Sequence, residues 1–303
     1  MTLSKRQKTL VKSAAILALA GGCAAVAYAA SNRVSITQQG DTFVIQSNGI
    51  ADHRTGSFPN RNNPNRISEQ SYTFVVDATP QKAGRITEVR GSSFGVALNG
   101  VPFDPNAAEW YQNNRQSGWS YDPFAMNGQL GLDFNNAHVQ PTGAYHYHGV
   151  PTSLVGNGRG HSPLIGFAAD GFPIYGPNGY TNGQVREQAS SWQLRSGTRT
   201  SGPGGRYDGT FVEDYQYVAG SGDLDQCNGK DTVTPEYPNG TYAYFLTEEF
   251  PYVPRCWVGT PSTQGFAKQR GAGGGQGSRQ GQRGQGAGLA PNGLRPPKPP
   301  RKN

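Results

Sequence analysis

The histidines of this 303-residue chain are concentrated in one short stretch, because four of the five lie at His138, His146, His148 and His161. His146 and His148 are two residues apart, and residues two apart in a β-strand point to the same face. Tyr145 and Tyr147 alternate with them and would occupy the opposite face. A strand over this segment would therefore present two imidazoles on one side and two phenols on the other.

A third imidazole can join this pair through a hairpin. Residues 140–143 have the composition of a turn, and in the register that pairs His138 with His146 three imidazoles share one side of two strands. Cross-strand neighbours lie about 5 Å apart at Cβ, which is close enough for one metal ion. Neutral imidazole is a ligand for zinc, copper, iron and nickel. The pattern predicts a divalent transition-metal site, with copper or zinc favoured, and a hydrogen-bonded aromatic cluster of structural importance is the alternative.

The spacing leaves the fourth ligand open, with His161, Asp133 and Asp170 as candidates. A closed set of four protein ligands is typical of a structural or storage site, whereas three ligands and an open position are typical of an enzyme. Three functions are therefore compatible with the sequence: a metal-binding protein of the cell envelope, a metal-dependent hydrolase or redox enzyme, and a structural or carbohydrate-binding module without metal.

A second polar cluster is rich in oxygen ligands and consists of Asp223, Asp225, Asn228 and Asp231. Its spacing is that of part of a calcium-binding loop, but the glutamate expected at the twelfth position is absent. Solvated turn residues are the alternative interpretation of these four positions.

The segment Gly91-Ser-Ser93-Phe-Gly95 matches the pattern of a nucleophile elbow, which would make Ser93 the nucleophile of a hydrolase. That motif needs a strand before the serine and a helix after it. Residues 96–98 are followed by Asn-Gly and predict another strand and a turn. We therefore do not assign this role to Ser93.

Several motifs around the histidines occur in a specific order. Tyr145-His-Tyr-His148 is preceded by Asn136-Ala-His138 and followed by His161-Ser-Pro163, Asp170-Gly-Phe-Pro-Ile-Tyr-Gly-Pro177 and Gly222-Asp-Leu-Asp-Gln-Cys-Asn-Gly229. In these segments the chain resembles the YHYH-domain family, which is named after the tetrapeptide. The resemblance extends over residues 95–261 and implies a secreted domain that uses these histidines, without implying a particular reaction.

The segments that must position these residues are short runs of β-branched and aromatic residues, separated by Gly, Pro, Asn and Asp. Such runs predict strands at residues 71–77, 93–98, 164–168, 211–218 and 241–247. Residues 105–112 predict a short helix with Asn106 as its N-cap. The expected fold class is mainly β, a single sandwich-like or distorted barrel domain with short helices.

One segment has an echo elsewhere in the chain, because Gly95-Val-Ala-Leu-Asn-Gly-Val-Pro-Phe103 aligns without gaps on Gly166-Phe-Ala-Ala-Asp-Gly-Phe-Pro-Ile174. Each copy places Asn-Gly or Asp-Gly between apolar runs, which is a strong signal for a β-hairpin. We expect two similar hairpins in equivalent places of two halves of the domain.

The ends of the chain differ in composition from its middle. A basic start, an apolar run and the triplet Ala27-Tyr28-Ala29 predict a signal peptide cleaved before Ala30. The apolar run is short for a membrane span, so we expect no transmembrane span after cleavage. The expected location is secreted or periplasmic, with lipid attachment at Cys23 as the alternative. The predicted division is a signal peptide at 1–29, an N-terminal β segment at 30–93, the YHYH domain at 94–261 and a disordered basic tail rich in Gly, Arg, Gln and Pro at 262–303.

The formal charge of the chain is +7, from 27 basic and 20 acidic residues. Four basic residues lie in the first 30 positions and eight lie after Thr263, and neither stretch contains an acidic residue. The middle of the chain therefore has fifteen basic residues against twenty acidic ones, a net charge of −5. This acidic excess argues against nucleic-acid binding by the folded domain. We expect the basic tail to contact anionic envelope surfaces or to be a plain solvated segment.

Removal of a signal peptide would leave two cysteines, Cys227 and Cys256. An even number of cysteines in an oxidising compartment predicts one disulfide. Two free buried thiols are the alternative.

Overall fold

The computed structural model describes residues 30–267, and within them the chain is mainly β, as predicted. The predicted signal peptide and all but the first six residues of the predicted tail lie outside this range. The strands are β1 (Val34–Gln39), β2 (Thr42–Ser47), β3 (Tyr72–Asp77), β4 (Lys82–Glu88), β5 (Gly95–Ala97), β6 (Pro102–Phe103), β7 (Ala137–Val139), β8 (Tyr145–Tyr147), β9 (Leu164–Ala168), β10 (Pro173–Tyr175), β11 (Asn178–Thr181), β12 (Gln184–Glu187), β13 (Trp192–Leu194), β14 (Tyr215–Tyr217), β15 (Gly229–Thr232), β16 (Thr241–Phe245) and β17 (Cys256–Gly259). Short helical segments are α1 (Asn127–Leu130) and 3-10 turns at Tyr111–Asn113, Arg115–Ser117 and Val212–Asp214.

Eight strands form one large curled sheet in the order β15-β16-β10-β9-β5-β6-β8-β7. The pairs β6–β8 and β10–β16 are parallel, and the other neighbours in this sheet are antiparallel. Strands β1, β2 and β3 form a separate antiparallel sheet, and β11-β12, β13-β14 and β17-β4 are two-stranded ribbons. The curled sheet with a second sheet packed on it agrees with the expected sandwich-like or distorted barrel architecture.

The large sheet has a local two-fold symmetry at its centre, where β5 pairs with β9. Gly95 lies opposite Ala168 and Ala97 lies opposite Gly166, so the register is symmetric about the Val96–Phe167 pair. Each central strand continues into a hairpin, β5–β6 on one side and β9–β10 on the other. The two equivalent hairpins expected from the sequence echo are therefore confirmed.

The symmetry extends to the outer strands of the large sheet. The β7–β8 hairpin lies beside β6 and the β15–β16 hairpin lies beside β10, each through a parallel pairing. Two further echoes accompany these hairpins: Leu132-Asp133 and Asn136 correspond to Leu224-Asp225 and Asn228, and Pro141-Thr-Gly-Ala-Tyr145-His-Tyr147 corresponds to Pro238-Asn-Gly-Thr-Tyr242-Ala-Tyr244. The large sheet thus consists of two structurally equivalent halves.

The hydrogen bonds of the two halves are also equivalent. The Tyr145 hydroxyl donates to Asp133 over 2.8 Å, and the Tyr242 hydroxyl donates to Asp225 over 2.9 Å. Asn136 and Asn228 have φ angles of 54° and 57°, a left-handed conformation that asparagine tolerates better than most residues. Shared side-chain contacts therefore hold the same turn before β7 and before β15.

The core lies between the large sheet and the three-stranded sheet. Phe43 of β2 stacks on Phe167 of β9 with ring centroids 5.4 Å apart. The Ser47 hydroxyl donates to the Gly100 carbonyl over 3.0 Å and joins the end of β2 to the β5–β6 turn. These contacts place the three-stranded sheet over the face of the large sheet that contains Phe167.

A disulfide joins Cys227, in the turn before β15, to Cys256 at the start of β17, as predicted. The two cysteines are 29 positions apart. In the chain-entropy model a loop of this length contributes about 3–4 kcal/mol to stability. No helix in residues 30–267 is long and apolar enough to cross a membrane.

The predicted helix over residues 105–112 is wrong, because only Tyr111–Asn113 form a 3-10 turn. The side chain of Asn106 makes long-range contacts and does not cap a helix. Its Nδ2 donates to the Val89 carbonyl over 3.2 Å and its Oδ1 accepts from Arg255 over 3.0 Å. These tertiary hydrogen bonds override a weak local helical preference.

The predicted strand over residues 211–218 is shorter than expected. Val212–Asp214 form a 3-10 turn before the three-residue strand β14. Asp214 is fully buried in an ion pair with Arg199 at 2.6 Å, and it also accepts a hydrogen bond from the Gly209 amide. This buried carboxylate stabilises the 3-10 turn, so the strand begins only at Tyr215. The other four strand predictions correspond to β3, β5, β9 and β16.

Candidate metal centre

The hairpin β7–β8 brings three imidazoles together. Its register pairs His138 with His146, as the sequence predicts. The turn between the strands closes through hydrogen bonds from Gln140 to the Ala144 carbonyl and from Gly143 to the Gln140 carbonyl, over 3.0 and 2.8 Å. Gly143 has a φ of 83°, which a residue without Cβ adopts at little cost.

The side chains of His138, His146 and His148, here called the histidine triad, lie on one face of this hairpin. Their ring centroids are 4.6 to 4.9 Å apart. One ligand atom from each lies within 4.8 Å of the other two, and the group could hold a metal ion. His146 and His148 are only 4% and 2% exposed, whereas His138 is partly exposed. The triad is therefore a largely buried cluster with its open side at His138.

Two backbone carbonyls orient the imidazoles of the triad. Nδ1 of His146 lies 3.2 Å from the Ala144 carbonyl, and Nδ1 of His138 lies 3.1 Å from the Leu130 carbonyl. A carbonyl only accepts hydrogen bonds, so both Nδ1 atoms carry a proton, and in the neutral rings both Nε2 atoms present a lone pair. Metal-binding histidines commonly donate their second nitrogen in this way.

The loop that supplies one of these carbonyls is held by Asn63. Its Nδ2 donates to the Leu130 carbonyl over 3.1 Å and to the Val139 carbonyl over 3.0 Å. Asn63 is itself 4% exposed. A buried amide therefore ties α1, which ends at Leu130, to β7 and fixes the acceptor of His138.

The spacing of the triad is close to that of ligands on a single ion. Nε2 of His146 and Nε2 of His148 lie 3.0 Å apart. Two nitrogens bound to one tetrahedral zinc at 2.0–2.1 Å are about 3.3 Å apart. Because Nε2 of His146 presents a lone pair, the proton between the two atoms belongs to His148, and ligation of a metal by Nε2 of His148 would require that proton to move to Nδ1 of the same ring.

The candidates for the fourth ligand lie away from the triad. His161 packs against Tyr175 and Tyr180 with ring centroids 4.9 and 5.0 Å apart, and its Nδ1 lies 2.7 Å from the Ser162 carbonyl. Asp133 accepts from Tyr145 on the opposite face of β8. Asp170 accepts from Tyr244 over 2.7 Å and from Gly259 over 2.8 Å. Within residues 30–267 no fourth histidine, cysteine or carboxylate joins the three imidazoles.

The equivalent half of the domain shows that the hairpin does not require imidazoles. Its register pairs Lys230 with Ala243, and these residues occupy the places of His138 and His146. Phe245 occupies the place of His148, because the backbone amide of each donates to the asparagine carbonyl of its own half. The same strands and turns form around a lysine, an alanine and a phenylalanine.

The oxygen-rich cluster predicted as a partial calcium loop is dispersed among other partners. Asp223 forms an ion pair with Arg186, Asp231 forms one with Lys82, and Asp225 accepts from Tyr242. Asn228 donates to the Phe245 carbonyl over 2.9 Å. The three aspartates are not brought together as a ligand group, and calcium binding stays a prediction.

On the opposite face of β8, Tyr147 contacts a histidine, His53, that was not identified as a site residue from the sequence. The Tyr147 hydroxyl donates to Nε2 of His53 over 2.6 Å and accepts from Asn99 over 2.9 Å. Burial raises the pKa values of Tyr145 and Tyr147 well above 10, so both phenols stay protonated. His53 is 94 positions from Tyr147, and no local motif connects them. These hydrogen bonds hold β8 in place on the face opposite to the triad.

Comparison with known proteins identifies one family. Residues 73–259 match the family model described as YHYH protein. Neither the curated proteins nor the solved structures contain a match. The matched region is more than half of the chain and includes the histidine triad, so the chain belongs to the YHYH protein family.

Proposed function

We propose that this chain is an exported protein whose YHYH domain binds a divalent transition metal, copper or zinc, through the histidine triad. The observation that carries the proposal is the convergence of three imidazoles on one face of β7–β8, two of them oriented by backbone carbonyls. Imidazole nitrogens favour copper and zinc over magnesium and calcium. Copper has the higher intrinsic affinity for such a set of ligands.

The equivalent half argues against a purely structural cluster. If three stacked imidazoles were needed to hold the hairpin, β15–β16 would need a similar set. It forms with Lys230, Ala243 and Phe245 in those places. The lysine there is held by the Tyr180 carbonyl over 2.8 Å, the Thr181 hydroxyl over 3.0 Å and the Gln188 side chain. This comparison favours a role for the imidazoles of the first half other than holding the hairpin.

Export is supported by two features of the chain. The disulfide between Cys227 and Cys256 is a bond that persists in oxidising compartments outside the cytoplasm. The basic start and apolar run of residues 1–29 have the composition of a signal peptide. Both features suit a protein that meets its metal in the cell envelope or outside the cell.

A metal-dependent hydrolase or redox enzyme is the second candidate function. The observation that favours it is the number of ligands, because three protein ligands group together within residues 30–267 and none of the predicted fourth ligands joins them. Catalytic zinc sites typically keep their fourth position for water or substrate. In such a site the triad would orient the ion while the open side at His138 admits the reactant.

The test of metal binding uses the exported full-length protein and its variants. Elemental analysis after purification from the native compartment should find close to one equivalent of copper or zinc. In calorimetric titrations with each metal, His146→Ala and His148→Ala should each lower the affinity at least tenfold, because each removes one of three ligands. Tyr147→Phe, on the opposite face of β8, and His161→Gln, in the other half, are the matched controls and should bind like the parent.

A second variant separates metal binding from folding. The triple variant His138→Lys, His146→Ala and His148→Phe introduces the residues of the equivalent half. It should keep the circular dichroism spectrum of the parent and bind neither metal. Parent protein that binds neither copper nor zinc, or histidine variants that bind as tightly as the parent, would leave the triad as a packing motif.

A further inference from the structure

A polar cleft of about 280 Å³ lies between the three-stranded sheet and the end of β7–β8. Its wall on one side comes from Tyr72 and Thr73 of β3, and on the other from Gln140 and Ala144, which flank the β7–β8 turn. Its size is just below the usual range of ligand pockets, about 300–1,000 Å³. This volume accommodates one compact small molecule.

The cleft begins beside the histidine triad. On the face of β7–β8 that contains the triad, the pair His138–His146 is followed by the pair formed by Gln140 and Ala144. Residues two apart along a strand are about 7 Å apart. The cleft wall therefore starts one cross-strand pair from His146.

The position of the neighbouring strand β6 also places the cleft next to the histidine triad. The rings of Phe103 and Tyr147 contact each other at 5.3 Å, on the face opposite to the triad. The preceding residue of each strand points the other way, so Pro102 lies next to His146 on the triad face. Pro102 also lines the cleft, which is thus adjacent to His146 along the strand and across the sheet.

The walls of the cleft are polar and uncharged. The lining residues include Ser71, Thr73, Ser93 and Thr142, which have hydroxyl side chains, and Gln70 and Gln140, which have side-chain amides. No charged side chain is among the described residues that line it. A charged ligand would lose hydration here without gaining a partner of opposite charge, whereas a neutral polar ligand can exchange its hydrogen bonds with water for bonds to the walls.

Several of these hydroxyls are not used by the fold. By contrast, the buried hydroxyls of Ser47 and Ser191 donate to the carbonyls of Gly100 and Leu224. Among residues 30–267 no hydrogen bond is formed by the side-chain hydroxyl of Ser71, Thr73 or Ser93. A wall of uncommitted hydroxyls, with the ring of Tyr72 beside it, is the surface that a hydroxyl-rich ring can contact through hydrogen bonds and stacking.

We propose that this cleft is the ligand subsite of the metal centre and that it binds a neutral, hydroxyl-rich molecule of the size of one sugar ring. The metal part of this inference rests on the proposed function, because a ligand hydroxyl would reach the open side of the ion held by the triad. The cleft itself recognises the ligand through Ser93, Thr73 and the neighbouring amides.

The test measures sugar binding to the full chain by calorimetry and saturation-transfer NMR, with and without zinc. The probes are methyl glucoside and N-acetylglucosamine, and glucuronate is the charged comparison. At least one neutral sugar should bind, glucuronate should bind at least tenfold more weakly, and zinc should tighten binding of the neutral sugar. Thr73→Val and Ser93→Ala should each weaken binding at least fivefold, whereas Thr37→Val, on the exposed strand β1, should have no effect.

The variant His146→Ala separates this inference from metal binding. It should abolish the effect of zinc on sugar affinity and keep the binding seen without zinc. If the parent binds zinc but neither neutral sugar, the subsite is refuted and the metal site stands. If sugar binds at the cleft but the parent binds no metal, the proposed function fails and the subsite loses its link to a metal centre. Equal binding of glucuronate, or unchanged binding in Thr73→Val and Ser93→Ala, would also overturn the assignment.

Discussion

Asp170 is a buried carboxylate whose titration should be visible in the stability of the protein. It lies in the turn of the β9–β10 hairpin and is 2% exposed. Burial raises the pKa of this carboxyl from 3.8 to about 6, although hydrogen bonds from the Tyr244 hydroxyl and the Gly259 amide counteract the rise. The folded protein therefore binds this proton more tightly than the unfolded chain does.

The sign and the magnitude of the effect follow from the raised pKa. The stabilising contribution of the protonated carboxyl is fully present below about pH 4 and is lost as the pH rises through about 6. A rise in pKa from 3.8 to about 6 corresponds to about 3 kcal/mol. At pH 7 the ionised Asp170 therefore destabilises the fold by about this amount, relative to a neutral group that makes the same contacts.

The perturbation that isolates this effect is Asp170→Asn. The amide oxygen can accept from Tyr244 and Gly259, and the amide nitrogen replaces Oδ1, which has no hydrogen-bond partner among the described residues. The unpartnered amide nitrogen lowers the free energy of unfolding of the variant by the same amount at every pH. It therefore does not contribute to the change in relative stability with pH. Urea unfolding between pH 4 and pH 7 should show the stability of Asp170→Asn, relative to the parent, rising by about 2–3 kcal/mol.

The equivalent half supplies a matched control, because Asn99 occupies the place of Asp170 in the β5–β6 turn. Its Nδ2 donates to Asp52 over 2.9 Å and to Tyr147 over 2.9 Å. Asn99→Asp would place a second carboxylate against Asp52, so its stability relative to the parent should fall as the pH rises. A difference between Asp170→Asn and the parent that stays constant from pH 4 to pH 7 would refute the reasoning for Asp170.

Three further outcomes are expected. Replacing Cys227 and Cys256 by serine should lower the free energy of unfolding by about 3–4 kcal/mol, measured by urea denaturation against the unreduced parent. Asp122→Ala should cost about 3–5 kcal/mol in the same assay, because Asp122 lies 3.6 Å from the buried guanidinium of Arg255 and the variant leaves that charge without this partner. Metal affinity should fall steeply as the pH drops below about 6.5, since protons compete for imidazole, and a titration series that shows constant affinity down to pH 5 would contradict binding through the triad.

The geometry of the histidine triad was predictable because its determinants are local. The spacing of His146 and His148 and the turn at residues 140–143 depend on the two-residue period of a strand and on a tight turn. The hairpin echo was visible for the same reason. The echo of Leu132-Asp133 in Leu224-Asp225 was missed, because the ribbons β11-β12 and β13-β14 separate the second hairpin from the centre of its half.

Other features depend on contacts between distant parts of the chain. His53 reaches Tyr147 across 94 positions, and the carbonyl of Leu130 orients His138 only because Asn63 holds the loop. The helix expected at residues 105–112 fails because tertiary partners engage Asn106. The composition and periodicity of a segment do not indicate which residues from distant parts of the chain will contact it in the folded protein.

The most direct test of the metal centre is X-ray absorption spectroscopy of the full-length protein loaded with one equivalent of zinc or copper. We expect three imidazole nitrogens at about 2.0–2.1 Å from the metal, with the outer-shell scattering of intact rings, and one oxygen ligand from solvent. His146→Ala should reduce the imidazole count from three to two in the same spectrum. A shell of oxygen ligands without imidazole scattering, or a parent spectrum that His146→Ala leaves unchanged, would contradict the assignment of the triad as the metal centre.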